Sequence, residues 1–132
     1  MQRIVLGNTG LEINRFGFGG IPIQRVSESQ AIETVLNALE KGVDFVDTAR
    51  NYTTSERRIG MALKQIVRRV VLATKSQGKT ADQLRADLET SLKELQRDYI
   101  DLYQCHFVRN DEEYQQVISP GGALEGMLRA RE

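Results

Sequence analysis

The apolar residues of this chain occur either in short continuous runs or at intervals of three and four residues. Runs are typical of buried strands, and the wider intervals are typical of amphipathic helices. The predicted strands, in chain order, are 4–6, 11–13, 16–21, 43–47, 70–74 and 99–105. The first two flank the turn-rich tetrapeptide 7–10, which predicts a small β-hairpin over residues 3–14.

Helices are predicted between the later strands. Three polar residues, each followed by a stripe of apolar side chains, are the predicted helix caps: Ser27, Ser55 and Thr80. Two of them, Ser27 and Thr80, also have a glutamine three residues later, which is the spacing of a capping box. Two further helical segments are predicted over 111–117 and 123–132.

Strand and helix alternate strictly after the hairpin, so residues 15–132 are predicted to form four β/α units within a single domain. This alternation predicts an α/β fold, a parallel sheet with right-handed crossovers. Two architectures satisfy it, an open doubly wound sheet and part of a (β/α)8 barrel. The hairpin before the first unit favours the barrel only weakly.

The composition excludes several classes of function. The 132 residues are 40% hydrophobic and 27% charged, with equal numbers of acidic and basic side chains. Because the net charge is zero and the basic residues are scattered, we expect no binding to nucleic acid or to an anionic membrane. No apolar run has the length of a membrane span or signal peptide, so we expect a cytoplasmic protein.

The chain contains one cysteine, Cys105, and one histidine, His106. Two such ligands are too few for a zinc cluster within the chain. A lone cysteine fits a reducing compartment, and its position predicts a buried residue of the last strand.

The predicted parallel strands end on residues with distinctive chemistry: Gly19-Gly20, Asp47, Lys75 and His106. Each has an ordinary explanation when taken alone, such as a turn-forming aspartate or a solvated lysine. Parallel strands, however, have their carboxyl ends on one side of the sheet. We therefore expect these residues to share a pocket, together with Tyr52 in the loop after Asp47.

Four of these side chains form a set that suits carbonyl reduction. A free phenol titrates near 10, and we expect the Lys75 ammonium to lower the pKa of Tyr52. Asp47 would hold that ammonium in place. His106 would orient a substrate carbonyl while Tyr52 delivers a proton to its oxygen.

No side chain supplies hydride, so this chemistry requires a nicotinamide cofactor. Gly19 and Gly20 lack side chains and would let a flat ring lie against the sheet, with Ile21 beside the same pocket. The segment is not a dinucleotide fingerprint, because its glycines are spaced differently and no helix begins directly after them.

At these residues the chain resembles the aldo-keto reductase family over essentially its whole length. The segments that carry the resemblance are Gly17-Phe18-Gly19-Gly20, Asp47-Thr48-Ala49-Arg50-Asn51-Tyr52, Ser55-Glu56-Arg57-Arg58-Ile59-Gly60, Thr74-Lys75 and residues 98–106. The resemblance implies the N-terminal half of a TIM-type (β/α)8 barrel that reduces small aldehydes or ketones with NADPH.

The resemblance also implies roles for individual residues. Tyr52 would be the general acid, tuned by Lys75 and Asp47, and His106 would orient the carbonyl. Three residues, Gly19, Gly20 and Ile21, would join Asp47 at the nicotinamide end of NADPH.

The chain departs from the family in length, because a full barrel needs about 250 residues. A half barrel is expected to leave two unpaired edge strands and an apolar inner face. Three explanations stay open: a truncated or proteolysed enzyme, self-association of two copies, or an inactive remnant that binds a partner through those edges. A flavodoxin-like ligand-binding domain is a more distant alternative.

Overall fold

The computed structural model of the protein describes residues 2–131. It contains a two-stranded antiparallel sheet and a four-stranded parallel sheet with helices between the parallel strands. The elements are β1 Arg3–Val5, β2 Glu12–Asn14, β3 Phe18–Gly19, a 3-10 helix Pro22–Arg25, α1 Glu28–Glu40, β4 Phe45–Asp47, α2 Ser55–Leu63, β5 Val71–Ser76, α3 Ala81–Leu95, β6 Leu102–Cys105, α4 Asp111–Ile118 and α5 Ala123–Ala130.

The predicted hairpin is present, with β1 antiparallel to β2 and Ile4 opposite Ile13. It is attached to the parallel sheet through Asp44, just before β4. The Asp44 carboxylate accepts hydrogen bonds from the Arg3 guanidinium at 2.8 Å and from the backbone N–H of Asn14 at 2.7 Å.

The strand order decides between the two architectures that the sequence left open. The parallel strands lie in the order β3-β4-β5-β6, which is also their order along the chain. A doubly wound sheet requires a reversal of strand order, and this sheet has none among residues 2–131. Right-handed crossovers in one direction place α1, α2 and α3 on the same face, as in a (β/α)8 barrel.

The hydrophobic core lies between this sheet and its helices. Val46 of β4 pairs with Leu72 of β5, and both side chains face the helices. The fully buried side chains packed around them are Val35, Leu39, Ile59, Leu63 and Leu95. Since side chains alternate along a strand, Asp47 and Lys75 lie on the opposite, inner face.

Three predicted strands are longer than the strands observed. The predicted strand 43–47 contains β4 over Phe45–Asp47 only. Residues 16–21 contain only the two-residue β3, and 99–105 contain β6 from Leu102 onward. A side chain replaces the backbone ladder ahead of β6, because the Asp101 carboxylate accepts the Leu72 N–H at 2.9 Å. In contrast, β5 is longer than predicted, so Lys75 lies within the strand.

The helix caps are confirmed at two of three positions. Ser27 and Thr80 each form a complete capping box. The prediction for Ser55 is wrong, because Ser55 is the first residue of α2 and the cap position is Thr54. The Ser55 hydroxyl donates to the Gly20 carbonyl at 2.8 Å instead, so it joins α2 to the end of β3.

The strands β3 and β6 are the outer strands of the described sheet, as expected for half of a barrel. The inner face is apolar toward its amino end, at Phe45, Val71 and Leu102, and polar toward its carboxyl end. It carries Asp47, Lys75 and the exposed Gln104 at its carboxyl end, beside the buried Ala73.

None of the helices described in residues 2–131 is long and apolar enough to cross a membrane.

Gly60 marks the closest approach of α2 and α3, and it supports a stability prediction. A Cβ atom at Gly60 would lie 2.2 Å from the Glu94 carbonyl oxygen. Gly60→Ala is therefore expected to lower the free energy of unfolding by about 2 kcal/mol, measured by urea denaturation. Helix propensity alone would raise it by about 1 kcal/mol, so a more stable variant would contradict this packing.

Candidate active site

An ion pair between Asp47 and Lys75 lies at the carboxyl end of the parallel sheet. The Lys75 ammonium is 2.8 Å from Oδ1 and 2.7 Å from Oδ2 of Asp47. It also donates to the Thr48 carbonyl at 2.5 Å. The Lys75 side chain is 15% exposed, so the charge is held by fixed partners rather than by bulk water.

Tyr52 lies in the loop after β4, next to this pair. Its ring centroid is 5.4 Å from the Lys75 Nζ atom and 5.7 Å from the centroid of the His106 ring. The two rings meet edge to face, with 78° between their planes. The structure thus brings together the four residues that the sequence pointed to, from β4, its following loop, β5 and the end of β6.

The expectation that Lys75 lowers the pKa of Tyr52 is wrong. Burial raises this pKa above 10, and the Asp47 carboxylate raises it further. The Lys75 ammonium is engaged by Asp47 and makes no hydrogen bond to the phenol among the contacts of residues 2–131. The phenol of Tyr52 is therefore protonated at neutral pH.

His106 is fixed by its backbone directly after β6. Its N–H donates to the Ser76 carbonyl at 2.7 Å, and its carbonyl accepts the Lys79 ammonium at 2.9 Å. Its ring stacks on Phe107, with 4.1 Å between centroids. The Nδ1 atom is buried and has no hydrogen-bond partner within residues 2–131.

The environment of His106 favours the neutral imidazole. Burial lowers its pKa below 6.5, and the Lys75 ammonium lowers it further, while Asp47 acts in the opposite direction. At neutral pH the ring is therefore uncharged, with one nitrogen able to donate a hydrogen bond.

This pKa predicts how stability depends on pH. Because the folded-state pKa lies below the unfolded value of about 6.5, the unfolded chain binds the proton more readily. The contribution of His106 to stability is then complete above pH 6.5 and is lost as the pH falls toward the folded pKa. Proton NMR of the single imidazole gives the folded pKa, and a midpoint at or above 6.5 would contradict it.

His106→Gln provides the control for this titration. The variant is expected to lose the part of the pH dependence of urea denaturation that lies just below pH 6.5. An unchanged pH profile in the variant would show that other groups produce that dependence.

The two glycines predicted at the cofactor site have different environments. A Cβ atom at Gly20 would lie 2.5 Å from the Ser55 hydroxyl, so packing against α2 requires a glycine there. At Gly19 no atom lies within 4 Å of such a Cβ, and the residue faces open space on the inner side of the sheet. Ile21 is 46% exposed at the same end of the sheet. Of the residues predicted at the cofactor site, Gly19 and Ile21 thus have free space around them, whereas Gly20 is packed against α2.

A buried polar network on the helix side of the sheet was not predicted. The Glu56 side chain is 1% exposed and forms an ion pair with Arg50. It also accepts the Thr74 hydroxyl at 2.7 Å. The sequence signal for it was slight: one acidic residue on an otherwise apolar helix face and one threonine within an apolar strand.

Residues 2–131 show no indication of a metal centre. Residues 2–131 contain no group of three or more His, Cys, Asp or Glu side chains arranged to hold an ion. Cys105 is half-buried in β6 with its sulfur 3.9 Å from that of Met127, and burial raises the pKa of its thiol. It was predicted to be a buried strand residue, and its burial is only partial.

Comparison with known proteins identifies the family. The model of the Aldo/keto reductase family matches residues 3–129. The chain belongs to this family. The sequence resemblance and the half-barrel fold inferred from it are confirmed.

Among the relatives of this aldo/keto reductase chain, L-galactose dehydrogenase of Arabidopsis thaliana is 35% identical over 116 residues, which cover 76% of this chain and 36% of the relative. Aldo-keto reductase YhdN of Bacillus subtilis is 36% identical over 126 residues, covering 81% and 38%.

A solved structure, the holo form of aldo-keto reductase AKR11C1 from Bacillus halodurans, superposes with a TM-score of 0.80 at 28% identity. The match covers 98% of this chain and 47% of that one. The chain thus spans between about a third and a half of the length of these relatives.

Proposed function

We propose that the protein reduces small aldehydes or ketones to alcohols by hydride transfer from NADPH, with Tyr52 as the general acid. The observation that supports this most directly is the position of the Tyr52 ring, whose centroid lies 5.4 Å from the Lys75 Nζ atom and 5.7 Å from the centroid of the His106 ring. Family membership supports the class of reaction, an oxidoreductase acting on carbonyl groups.

The protonation states suit this direction of reaction. The raised pKa of Tyr52 keeps a proton on the phenol, so the residue is ready to donate it to the carbonyl oxygen. Once the proton has left, the nearby Lys75 ammonium stabilises the phenolate. The neutral His106 donates a hydrogen bond to the same oxygen and orients the carbonyl before transfer.

The residues present fit the nicotinamide end of the cofactor. Gly19 has open space where a side chain would otherwise project, and Ile21 offers an exposed apolar surface beside it. We assign these two residues, with Gly20 and Asp47, to nicotinamide binding. NADPH, when bound, supplies the hydride that no side chain of the chain can supply.

Cofactor binding and turnover test this function separately. NADPH titrated into the chain is expected to change cofactor fluorescence with saturation, and a reactive aldehyde is expected to accelerate loss of absorbance at 340 nm. Binding without turnover would reject the reductase activity of this chain. If the chain shows no cofactor binding and no turnover, the cofactor assignment is rejected as well.

We also propose that the chain self-associates through its sheet edges. Among residues 2–131, β3 and β6 each pair with a strand on one side only, and both are parallel to the rest of the sheet. Joining β6 of one copy to β3 of another would give eight parallel strands, the number that closes a barrel of this type. The inner face with Lys75 and Gln104 would then lie inside.

Solution size decides this second proposal. Light scattering on the purified chain is expected to give twice its 14.9 kDa mass. A proline at Tyr103 of β6 removes an N–H that faces the free edge, because the N–H groups of Gln104 and His106 face β5. This variant should shift the species toward monomer, whereas Tyr103→Thr, which keeps the N–H, should not. A folded monomer across the accessible concentration range would overturn the proposal.

A further inference from the structure

A buried carboxylate lies behind the candidate active site, on the helix side of the sheet. Glu56 of α2 is 1% exposed, and its two oxygens have different partners. One oxygen pairs with the Arg50 guanidinium and the other accepts the Thr74 hydroxyl at 2.7 Å. A buried charge is costly unless its partners satisfy it, and here both partners come from segments outside α2.

Those two segments are the ones that carry Tyr52 and Lys75. Arg50 lies two residues before Tyr52 in the loop after β4, and Thr74 directly precedes Lys75 in β5. The loop also contacts the strand through the backbone, since the Arg50 N–H donates to the Lys75 carbonyl at 2.9 Å. Glu56 therefore joins the loop to the strand at the level of the two reactive groups.

Two side-chain hydrogen bonds at the end of this loop lead away from β5, whereas the N–H and carbonyl of Thr48 at its start bond to Ala73 and Lys75 of β5. The Ser55 hydroxyl donates to the Gly20 carbonyl, and the Thr53 hydroxyl donates to the Gln24 side chain at 2.8 Å. These bonds hold the loop toward β3 and the 3-10 helix. The side-chain link from the loop to β5 on the helix side runs through Arg50 and Glu56.

We infer that Glu56, together with Arg50, is a positioning pair that sets the distance between the Tyr52 phenol and the Lys75 ammonium. The inference rests on the proposed function, in which this distance governs proton delivery. Displacement of a catalytic group by about 1 Å can cost about 100-fold in rate, so a tie at this point has a catalytic consequence. Neither residue of the pair touches substrate in this scheme.

The test measures the pKa of Tyr52 by NMR of 13C-labelled tyrosine in the whole chain, without cofactor or substrate. Tyr52→Phe identifies its signal among the four tyrosines. Glu56→Gln removes the ion pair, and Thr74→Val removes only the hydrogen bond to β5 without changing charge. Loosening the loop would expose the phenol and move it from Asp47, so both variants should lower the pKa toward 10.

Asp87→Asn is the matched control. Asp87 of α3 accepts the Ser76 hydroxyl at 2.5 Å, so the variant also removes a negative charge that contacts β5, but beside α3 and not beside α2. It is expected to leave the pKa of Tyr52 unchanged. Circular dichroism shows whether each variant is folded, and Thr74→Val provides the result if Glu56→Gln does not fold.

A shift of about half a pH unit or more in Glu56→Gln or Thr74→Val, with none in Asp87→Asn, supports positioning. A folded Thr74→Val without a shift overturns it, and so do equal shifts in the control. Because the measurement needs no turnover, the pKa of Tyr52 can still be interpreted if the chain is inactive. Inactivity would then reject the reductase proposal alone.

Discussion

Replacing Tyr52 by phenylalanine is expected to lower the rate of aldehyde-dependent NADPH oxidation by at least about 100-fold. The substitution removes one hydroxyl and leaves the ring that meets His106 edge to face. Without the phenol no group at that position holds a proton at neutral pH for the carbonyl oxygen. The measurement is the 340 nm rate at saturating aldehyde for both proteins.

Binding and a matched tyrosine separate chemistry from folding in this experiment. Tyr52→Phe should still change NADPH fluorescence with an affinity close to that of the parent. Tyr114→Phe removes a hydroxyl from a tyrosine that is 51% exposed on α4 and should leave the rate unchanged. A Tyr52→Phe variant that keeps more than about a tenth of the rate would exclude Tyr52 as the acid.

The positions of the candidate site residues were predictable because they depend on local patterns and one topological rule. Apolar runs located the strands that end near Asp47, Lys75 and His106, and parallel pairing brings such ends together. Capping boxes at Ser27 and Thr80 followed from spacing alone, since both partners lie within one turn.

Contacts between residues distant in sequence could not be predicted in the same way. Ser55 is of a residue type that commonly caps helices, but its hydroxyl donates to the carbonyl of Gly20, 35 residues earlier. Glu56 appeared as one polar residue of a helix, and its partner Thr74 lies 18 residues later. The spacing of such residues in the sequence does not indicate which backbone or side-chain groups they contact.

The electrostatics of Tyr52 show a different limit of sequence reasoning. A lysine near a phenol is expected to lower its pKa, and the sequence supplied that lysine. The pKa of Tyr52 is raised instead, because Lys75 donates its hydrogen bonds to Asp47 and Thr48. Burial and the Asp47 charge then determine the shift. Which neighbour dominates depends on distances of a few ångströms, and only the folded arrangement sets them.

Lys75→Met is expected to lower the reduction rate by about 100- to 1,000-fold, because no cation then stabilises the phenolate left after proton transfer. The same variant has a readout that needs no turnover. Burial is the main cause of the low pKa of His106 and the Lys75 ammonium is the next, so removing that ammonium should raise the imidazole pKa in proton NMR.

Asp47→Asn should lower the pKa of the His106 imidazole, since the Asp47 carboxylate raises this pKa and the variant removes that charge. Lys64→Met replaces an exposed lysine and controls for loss of one positive charge anywhere in the chain. Opposite shifts in the two site variants, with none in Lys64→Met, would show that both charges act on His106 in solution. Shifts of the same sign would mean that Asp47, Lys75 and His106 are not arranged as described, and the proton-transfer scheme would lose its geometric basis.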